Sequence, residues 1–226
     1  LKLASWPETQ AALWAEVDGG PKTEELTAAV MNSDLEPLYI DLIKGDRLNS
    51  LLEGPLAGAG NPKAILAIGF EGGQTKTDWF CQTAEQMISD HGFRVTAIQT
   101  DSDALAAWSA LAGVYSRENA DVVLKASLLS SQVVEFIETS RSIAQSRSVD
   151  LSAASHIGNG IVYLFLRGKD SDLSDLSSTM LAEASRLDGN LVVQRAPAHL
   201  KPQLDIWGNP SDDWEIMRTI RRKFDP

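Results

Sequence analysis

The chain has 226 residues, of which 43% are hydrophobic and 23% charged, a composition typical of a soluble globular protein with one large domain or two small ones. Its 20 Lys and Arg residues against 31 Asp and Glu residues give a net charge of -11, and no basic stripe is present that would bind a nucleic-acid backbone. Cys81 is the only cysteine, which excludes an intramolecular disulfide and a thiolate zinc site and favours a reducing compartment. We expect Cys81 to be a small buried helix residue.

No apolar run approaches the roughly 20 residues that a bilayer-spanning helix needs, and residues 1–3 lack a signal-peptide pattern. Leu1 is not an initiator Met, so we expect the chain to be a piece of a longer protein. We predict a cytoplasmic location. The alternative is peripheral attachment to the inner membrane through partner subunits.

The first half of the chain predicts a βαββαβ unit, because strand-type alternation and helix-type spacing follow one another in that order. Gly92 follows the longest helix and is typical of a helix end. The predicted elements are a strand over 1–5, helices over 7–18 and 23–33, a strand over 38–43, a loop rich in Gly and Pro over 45–63, a strand over 64–70, a helix over 77–91 and a strand over 94–100.

A linking helix follows, capped by Asp101 or Ser102 and carrying Leu105, Trp108, Leu111 and Tyr115. We place Trp108 in the core. The second half then repeats the pattern with a strand over 121–129, a helix carrying Val133, Phe136, Ile137 and Ala144, a hairpin of strands 149–155 and 161–167, a helix over 173–188 and a strand over 191–196.

Two such units predict an α+β fold. In this fold, duplicated ferredoxin-like βαββαβ units (about 1–101 and 120–197) form an antiparallel sheet with helices on one face. We expect the sheet face without helices to contact another domain, subunit or ligand. A C-terminal helical segment (198–226) ends in an amphipathic helix over 211–224, whose Trp214 we place in the core and whose last turns carry Arg218, Arg221, Arg222 and Lys223.

One segment superficially resembles a phosphate-binding loop. Residues 69–77 run from a strand into a helix and include Gly72, Gly73 and Lys76. A Walker loop needs Gly directly before its Lys so that backbone amides turn onto the phosphates, and Thr75 stands there. We therefore predict an ordinary turn.

The histidines differ in what their surroundings indicate. His91 ends a helix, where an imidazolium favours the helix dipole, and His199 lies in no recognisable pattern. His156 is followed by Gly158, Asn159 and Gly160, and two glycines permit backbone conformations that other residues resist. This turn is either a functional site or a plain hairpin.

Two further residues are candidates for a site. Arg195, near the end of the last strand, is either a carboxylate-binding side chain on the open sheet face or an edge charge in solvent. Trp207, in a loop, is a better candidate for lining a flavin or substrate pocket than the two tryptophans at helical spacing.

The chain resembles the C-terminal cap domain of FAD-linked oxidases of the vanillyl-alcohol oxidase type. The resemblance is carried by the segment 156–160, the apolar strand after it, Met217-Arg218 and the terminal segment 222–226. Within this region, the segment 195–208 most resembles the FAD-binding subunits of bacterial glycolate oxidase. The resemblance implies that 1–226 is a cap domain, and that the N-terminal flavin-binding domain is absent from this chain. It also implies FAD as cofactor, held mainly by that other domain.

The family pattern H-x-G-D-G-N-x-H is kept only in part. Asn159 stands in place of its Asp, Ile161 in place of its Asn and Tyr163 in place of its second His, and residues 194–197 replace a later Gly-Glu-His-Gly. Relatives with both histidines bind a divalent metal, so we predict no metal site here.

The resemblance implies a substrate-side domain of a flavin-dependent oxidoreductase that acts on a small 2-hydroxy acid such as glycolate within a multi-subunit oxidase. His156, Asn159 and Arg195 are the predicted catalytic residues, and Gly158, Gly160 and Trp207 the predicted cofactor-side residues. The expected partners are the FAD-binding domain, other oxidase subunits and the hydroxy acid. The chain alone is not expected to be active. The alternatives are a ferredoxin-like binding module without chemistry and a structural subunit that docks through its basic terminal helix.

Overall fold

The computed structural model describes residues 6–45, 62–117, 119–208 and 213–225. Its first half is a βαββαβ unit in which both helices follow strands and pack back on them. The elements are β1 (Thr9–Val17), α1 (Pro21–Met31), β2 (Tyr39–Lys44), β3 (Ala64–Gly72), α2 (Gln74–Asp90) and β4 (Arg94–Thr100). The predicted strand over 1–5 and nearly all of the predicted loop over 45–63 lie outside the described residues.

The second half repeats this order after a linking helix. These elements are α3 (Asp101–Arg117), β5 (Val122–Ser127), α4 (Val133–Ser146), β6 (Asp150–His156), β7 (Ile161–Arg167), α5 (Asp170–Arg186), β8 (Asn190–Arg195) and the terminal α6 (Asp213–Phe224). Short 3-10 turns lie at Ser130–Gln132, Ile157–Asn159 and Lys201–Gln203. No helix in the described part is long and apolar enough to span a membrane.

All eight strands form one sheet in the order β4-β1-β3-β2-β6-β7-β5-β8, and each pairing is antiparallel. Within each half the order is that of a ferredoxin-like unit, and the two units join edge to edge through β2 and β6. The predicted fold class is confirmed.

The prediction of a helix over 7–18 is wrong, because Thr9–Val17 is strand β1. Its Ala, Leu and Glu residues favour a helix intrinsically. The strand lies between β3 and β4, and both of its faces are buried, with Leu13 and Trp14 each fully covered. A strand buried on both sides shows no polar alternation, so tertiary packing overrides the local preference.

The sheet has two unlike faces. On one face, α1, α2, α4 and α5 cover a large apolar core that includes Leu13, Leu66 and Leu164. On the other, which we call the open face, α3 alone covers a smaller core through Ala104, Ala107, Leu111 and Val114. The prediction that Trp108 is a core residue is wrong: it is 50% exposed, because α3 packs through its other face.

The junction of the two units positions the site described below. Asp41 on β2 lies directly opposite His156 on β6. On the helix-covered side of the same junction, the buried Lys44 forms an ion pair with Glu138 of α4 and donates to the Gly19 carbonyl oxygen at 3.2 Å. The junction is therefore fixed from both sides.

Candidate functional site

Four polar side chains lie next to one another across the open face. Asp41 is opposite His156, Tyr163 is opposite Ala154, two residues before His156, and Lys125 is opposite Tyr163. Because side chains on one face alternate along a strand and face their cross-strand partners, these residues form one row over β2, β6, β7 and β5. We call this set, Asp41, His156, Tyr163 and Lys125, the polar row.

Asp41 and His156 form a tightly held pair. The His156 Nδ1 is 2.7 Å from the Asp41 Oδ1, and the Asp41 side chain is only 5% exposed whereas that of His156 is 34% exposed. A carboxylate at Nδ1 fixes the ring orientation and assigns proton exchange with a ligand to Nε2. The pair is therefore the arrangement of a general base with its orienting group.

The pKa values of the pair are set by its hydrogen bond and by its burial. The hydrogen bond to Asp41 raises the pKa of His156, against desolvation and the nearby positive charge of Lys125, which both lower it. Burial raises the pKa of Asp41, although its bond to His156 opposes this. The imidazole thus holds its proton to a higher pH than an ordinary histidine does.

Tyr163 and Lys125 continue the polar row beside the histidine. The rings of His156 and Tyr163 meet edge to face, with centroids 6.3 Å apart and an interplanar angle of 89°. The Lys125 Nζ lies 5.8 Å from the centre of the Tyr163 ring, within the range of a cation–π contact. Both side chains are partly exposed.

A pocket of about 390 Å³ opens at one end of the row. Asp41, His156, Gly158 and Asn159 line it together with apolar residues, which are Met31, Leu35, Pro37, Leu38, Tyr39 and Ile40. The Tyr39 ring lies against Gly69, where an added Cβ would be 2.0 Å from the ring, so glycine at this position makes room for one wall. The structure thus brings the predicted residues His156, Asn159 and Gly158 together.

The turn after His156 explains its second glycine. Gly160 has φ 74°, and an added Cβ would lie 1.9 Å from the Leu128 carbonyl oxygen. Glycine is required here to close the hairpin against the segment after β5.

The structure does not bring Arg195 to this pocket. Arg195 is on the edge strand β8 opposite Val123, and Val123 is in turn opposite Phe165, which is opposite Ser152. Arg195 therefore lies three strands from His156 and toward the other end of the sheet. Its side chain is exposed.

Trp207 lines a second opening of about 480 Å³, formed by β8 and α6 with Asn190, Val192, Trp214, Met217, Arg218 and Arg221. Val192 lies opposite Lys125, so this opening adjoins the outer end of the polar row. The prediction that Trp214 is a core residue is wrong: it lines this opening and belongs to neither core cluster. Trp207 itself is 70% exposed.

The segment that resembles a phosphate loop does not fit a phosphate group. The Gln74 N–H at the start of α2 donates to the Glu8 carboxylate at 3.2 Å, and Lys76 pairs with Glu36 at 2.6 Å. Carboxylates of the chain itself thus occupy the helix N-terminus and the lysine that would meet a phosphate.

The remaining predictions concern Cys81, His91, His199 and metals. Cys81 is buried in α2, so the prediction of a small buried helix residue is confirmed, and burial raises its pKa to about 11. His91 caps α2, with its Nδ1 2.7 Å from the Met87 carbonyl oxygen, and His199 pairs with Asp170 at the surface. Among the described residues, no three His, Cys, Asp or Glu side chains are grouped to hold a metal ion.

Sequence reasoning missed Asp41 and Lys125. Asp41 is an acid within an otherwise apolar strand segment, Tyr-Ile-Asp-Leu-Ile, and a carboxylate in such a place is rarely buried without a partner. That signal was present in the sequence, but the partner was not identifiable, because it lies in the other unit.

Comparison with solved structures places this geometry in a known fold. The chain is similar to an alkyldihydroxyacetonephosphate synthase, with a TM-score of 0.61 and 10% identity over 99% of this chain and 44% of that one. A second structure of such a synthase has a TM-score of 0.58 and 11% identity, over 99% of this chain and 44% of that one. A 4-ethylphenol oxidase from Gulosibacter chungangensis in complex with isoeugenol has a TM-score of 0.61 and 13% identity, over 99% of this chain and 53% of that one.

The chain has the fold of one part of these enzymes. It spans about half the length of the solved structures it matches, and at such low identity the likeness shows the fold alone. No protein-family model matches the sequence, and no curated protein matches it.

Proposed function

We propose that this chain is the substrate-side domain of a flavin-dependent oxidoreductase that acts on a small 2-hydroxy acid such as glycolate, within a multi-subunit oxidase. The observation that carries the proposal is the Asp41–His156 pair, held at 2.7 Å beside the pocket at the end of the polar row. The shared fold with an oxidase and the sequence resemblance around His156 support it.

In this proposal the FAD is held mainly by a separate flavin-binding domain, which contacts the open face. A bound flavin would supply the hydride acceptor for the substrate carbon, and the protein would supply orientation and charge. The phosphate-loop-like segment of this chain is occupied by Glu8 and Glu36. The proposed role of this chain is therefore to form the substrate side of the site.

His156 is the proposed general base. Its Nε2 accepts the proton of the substrate hydroxyl while Asp41 holds the ring at Nδ1 and stabilises the imidazolium that forms. Asn159 offers an amide in the same pocket to orient the hydroxy acid. Gly158, Gly160 and Trp207 are proposed to lie on the cofactor side, whereas the position of Arg195 at the far end of β8 does not support its role in this pocket.

Flavin absorbance tests this function. We expect anaerobic mixing of the full-length, flavin-loaded protein with glycolate to bleach the flavin band, and His156→Gln to slow that reduction by about 100-fold or more, because a positioned base contributes that much. His199→Gln is the matched control, since His199 also pairs with an Asp but at the surface. If neither glycolate nor any other 2-hydroxy acid reduces the flavin of the wild-type protein, the proposal is wrong.

A second candidate function is an assembly module without chemistry. The observation that favours it is on α6, where Ile216, Ile220 and Phe224 are 62%, 51% and 85% exposed and follow one another at a spacing of four residues. Arg221, Arg222 and Lys223 lie in the same last turns. In this alternative α6 contacts an acidic surface of another oxidase subunit, and His156→Gln leaves flavin reduction unchanged.

A further inference from the structure

Among the described residues, Lys125 is the member of the polar row whose charge has no carboxylate partner. The chain has 31 acidic residues against 20 basic ones, yet within the part that the structure describes, Lys125 has no ion pair with a carboxylate; its recorded contact is with the Tyr163 ring. Lys125 is only partly exposed. An ammonium that is partly removed from water and lies over an aromatic ring is suited to an anionic ligand.

The geometry of the row indicates the size of that ligand. Lys125 on β5 and His156 on β6 flank β7, so their strands are about 10 Å apart. The Tyr163 side chain stands between them, edge to face with His156 and beneath Lys125. A small molecule over Tyr163 can therefore meet the ammonium at one end and the imidazole at the other.

We propose that Lys125 binds the carboxylate of the substrate above the Tyr163 ring and thereby places the neighbouring hydroxyl at His156. This inference rests on the proposed function and deepens it, because it names the residue that selects a hydroxy acid over a neutral alcohol. A lysine suits this task, since its ammonium on a flexible stem donates to a carboxylate from several directions.

A charge-matched pair of compounds tests the inference. Glycolate and glycolamide have the same shape and the same hydroxyl but differ in charge. We expect the full-length, flavin-loaded wild-type protein to reduce its flavin with a kcat/KM at least about tenfold higher for glycolate, since a charge-assisted hydrogen bond is worth that much. Lys125→Met should remove this preference chiefly through KM, and Lys125→Arg should keep most of it.

Lys22→Met is the control, because Lys22 is an exposed residue of α1 on the opposite side of the sheet. A preference for glycolate that survives Lys125→Met would overturn the inference while leaving the proposed function intact.

A second measurement does not depend on turnover. We expect acetate, but not acetamide, to shift the NMR signals of the His156 ring in the wild-type protein, and Lys125→Met to abolish the acetate shift. If acetate shifts these signals through Lys125 but glycolate never reduces the flavin, the anion site stands and the proposed reaction fails. If acetate shifts them equally in Lys125→Met, the anion site is wrong.

Discussion

His156 and Asp41 are separated by 115 residues along the chain and joined by one hydrogen bond of 2.7 Å between their side chains. Each comes from a different ferredoxin-like unit, so the pair forms only when β2 and β6 meet. The pair therefore reports directly on the junction of the two units.

Replacing Asp41 by Asn tests the electrostatic role of the carboxylate. The hydrogen bond to Asp41 is the largest cause that raises the pKa of His156, so Asp41→Asn should lower that pKa toward or below its ordinary value of 6.5. An NMR titration of the imidazole protons measures it. Asp170→Asn, which removes the partner of the exposed His199, should leave the His156 titration unchanged, whereas an unaltered pKa in Asp41→Asn would contradict the assigned cause.

The same pair makes stability depend on pH in a defined direction. The folded-state pKa of His156 is raised above 6.5, so its contribution to the free energy of unfolding is fully present below pH 6.5 and is lost as the pH rises through the raised value. The pKa of Asp41 is also raised, so its contribution to the free energy of unfolding is likewise lost as the pH rises, but at a lower pH.

We therefore expect His156→Gln to cost about 1–3 kcal/mol near pH 6 and progressively less at higher pH. Urea unfolding at several pH values measures this difference, and a cost that stays constant from pH 6 to 9 would exclude the predicted linkage.

Among the elements, the β6–β7 hairpin is the one whose turn shapes the pocket. Gly160 combines φ 74° with contact to the Leu128 carbonyl oxygen, whereas Gly92 has φ 78° and an added Cβ there meets nothing within 4 Å. Gly92→Ala should thus cost only the left-handed backbone penalty of about 1–2 kcal/mol. Gly160→Ala should cost clearly more by urea unfolding, and equal costs would show that the Leu128 contact is relieved without strain.

Elements with visible periodicity were predictable from the sequence. The strand over 94–100 and the strand over 161–167 agree with β4 and β7 to the residue, because turn residues or a helix cap bound them. β1 was not predictable in the same way, since both of its faces are buried. The face through which α3 packs was predicted only in part, because Ala104, Ala107, Leu111 and Val114 and not Trp108 fill the space over the sheet.

At the scale of the whole molecule, the repeat of two βαββαβ units predicted the sheet, and the turn at His156 predicted one part of the site. The partners of His156 were not predictable, because register between distant strands brings Asp41, Tyr163 and Lys125 to it. The distance of Arg195 from this pocket was not predictable for the same reason: only the pairing of β8 with β5 shows that it lies toward the other end of the strands.

The terminal helix is the contact surface in the proposed alternative of an assembly module. Ile216, Ile220 and Phe224 are exposed on α6 beside the basic residues Arg221 and Arg222. If α6 is the contact surface, Arg221→Glu with Arg222→Glu should release this protein from other oxidase subunits in size-exclusion chromatography. Lys201→Glu, at an exposed position outside α6, is the control, and a complex that survives the double reversal would exclude α6 as the contact.

In the proposed function the flavin lies against the open face near the polar row, and energy transfer to the flavin measures this position. In a Cys81→Ser background, a coumarin dye is attached at Ser127→Cys on the open-face side of β5 or at Gln145→Cys, an exposed residue of α4 in the helix layer. In labelled proteins that retain their flavin, we predict more efficient energy transfer from position 127 than from position 145. Equal transfer, or more efficient transfer from position 145, would contradict the claim.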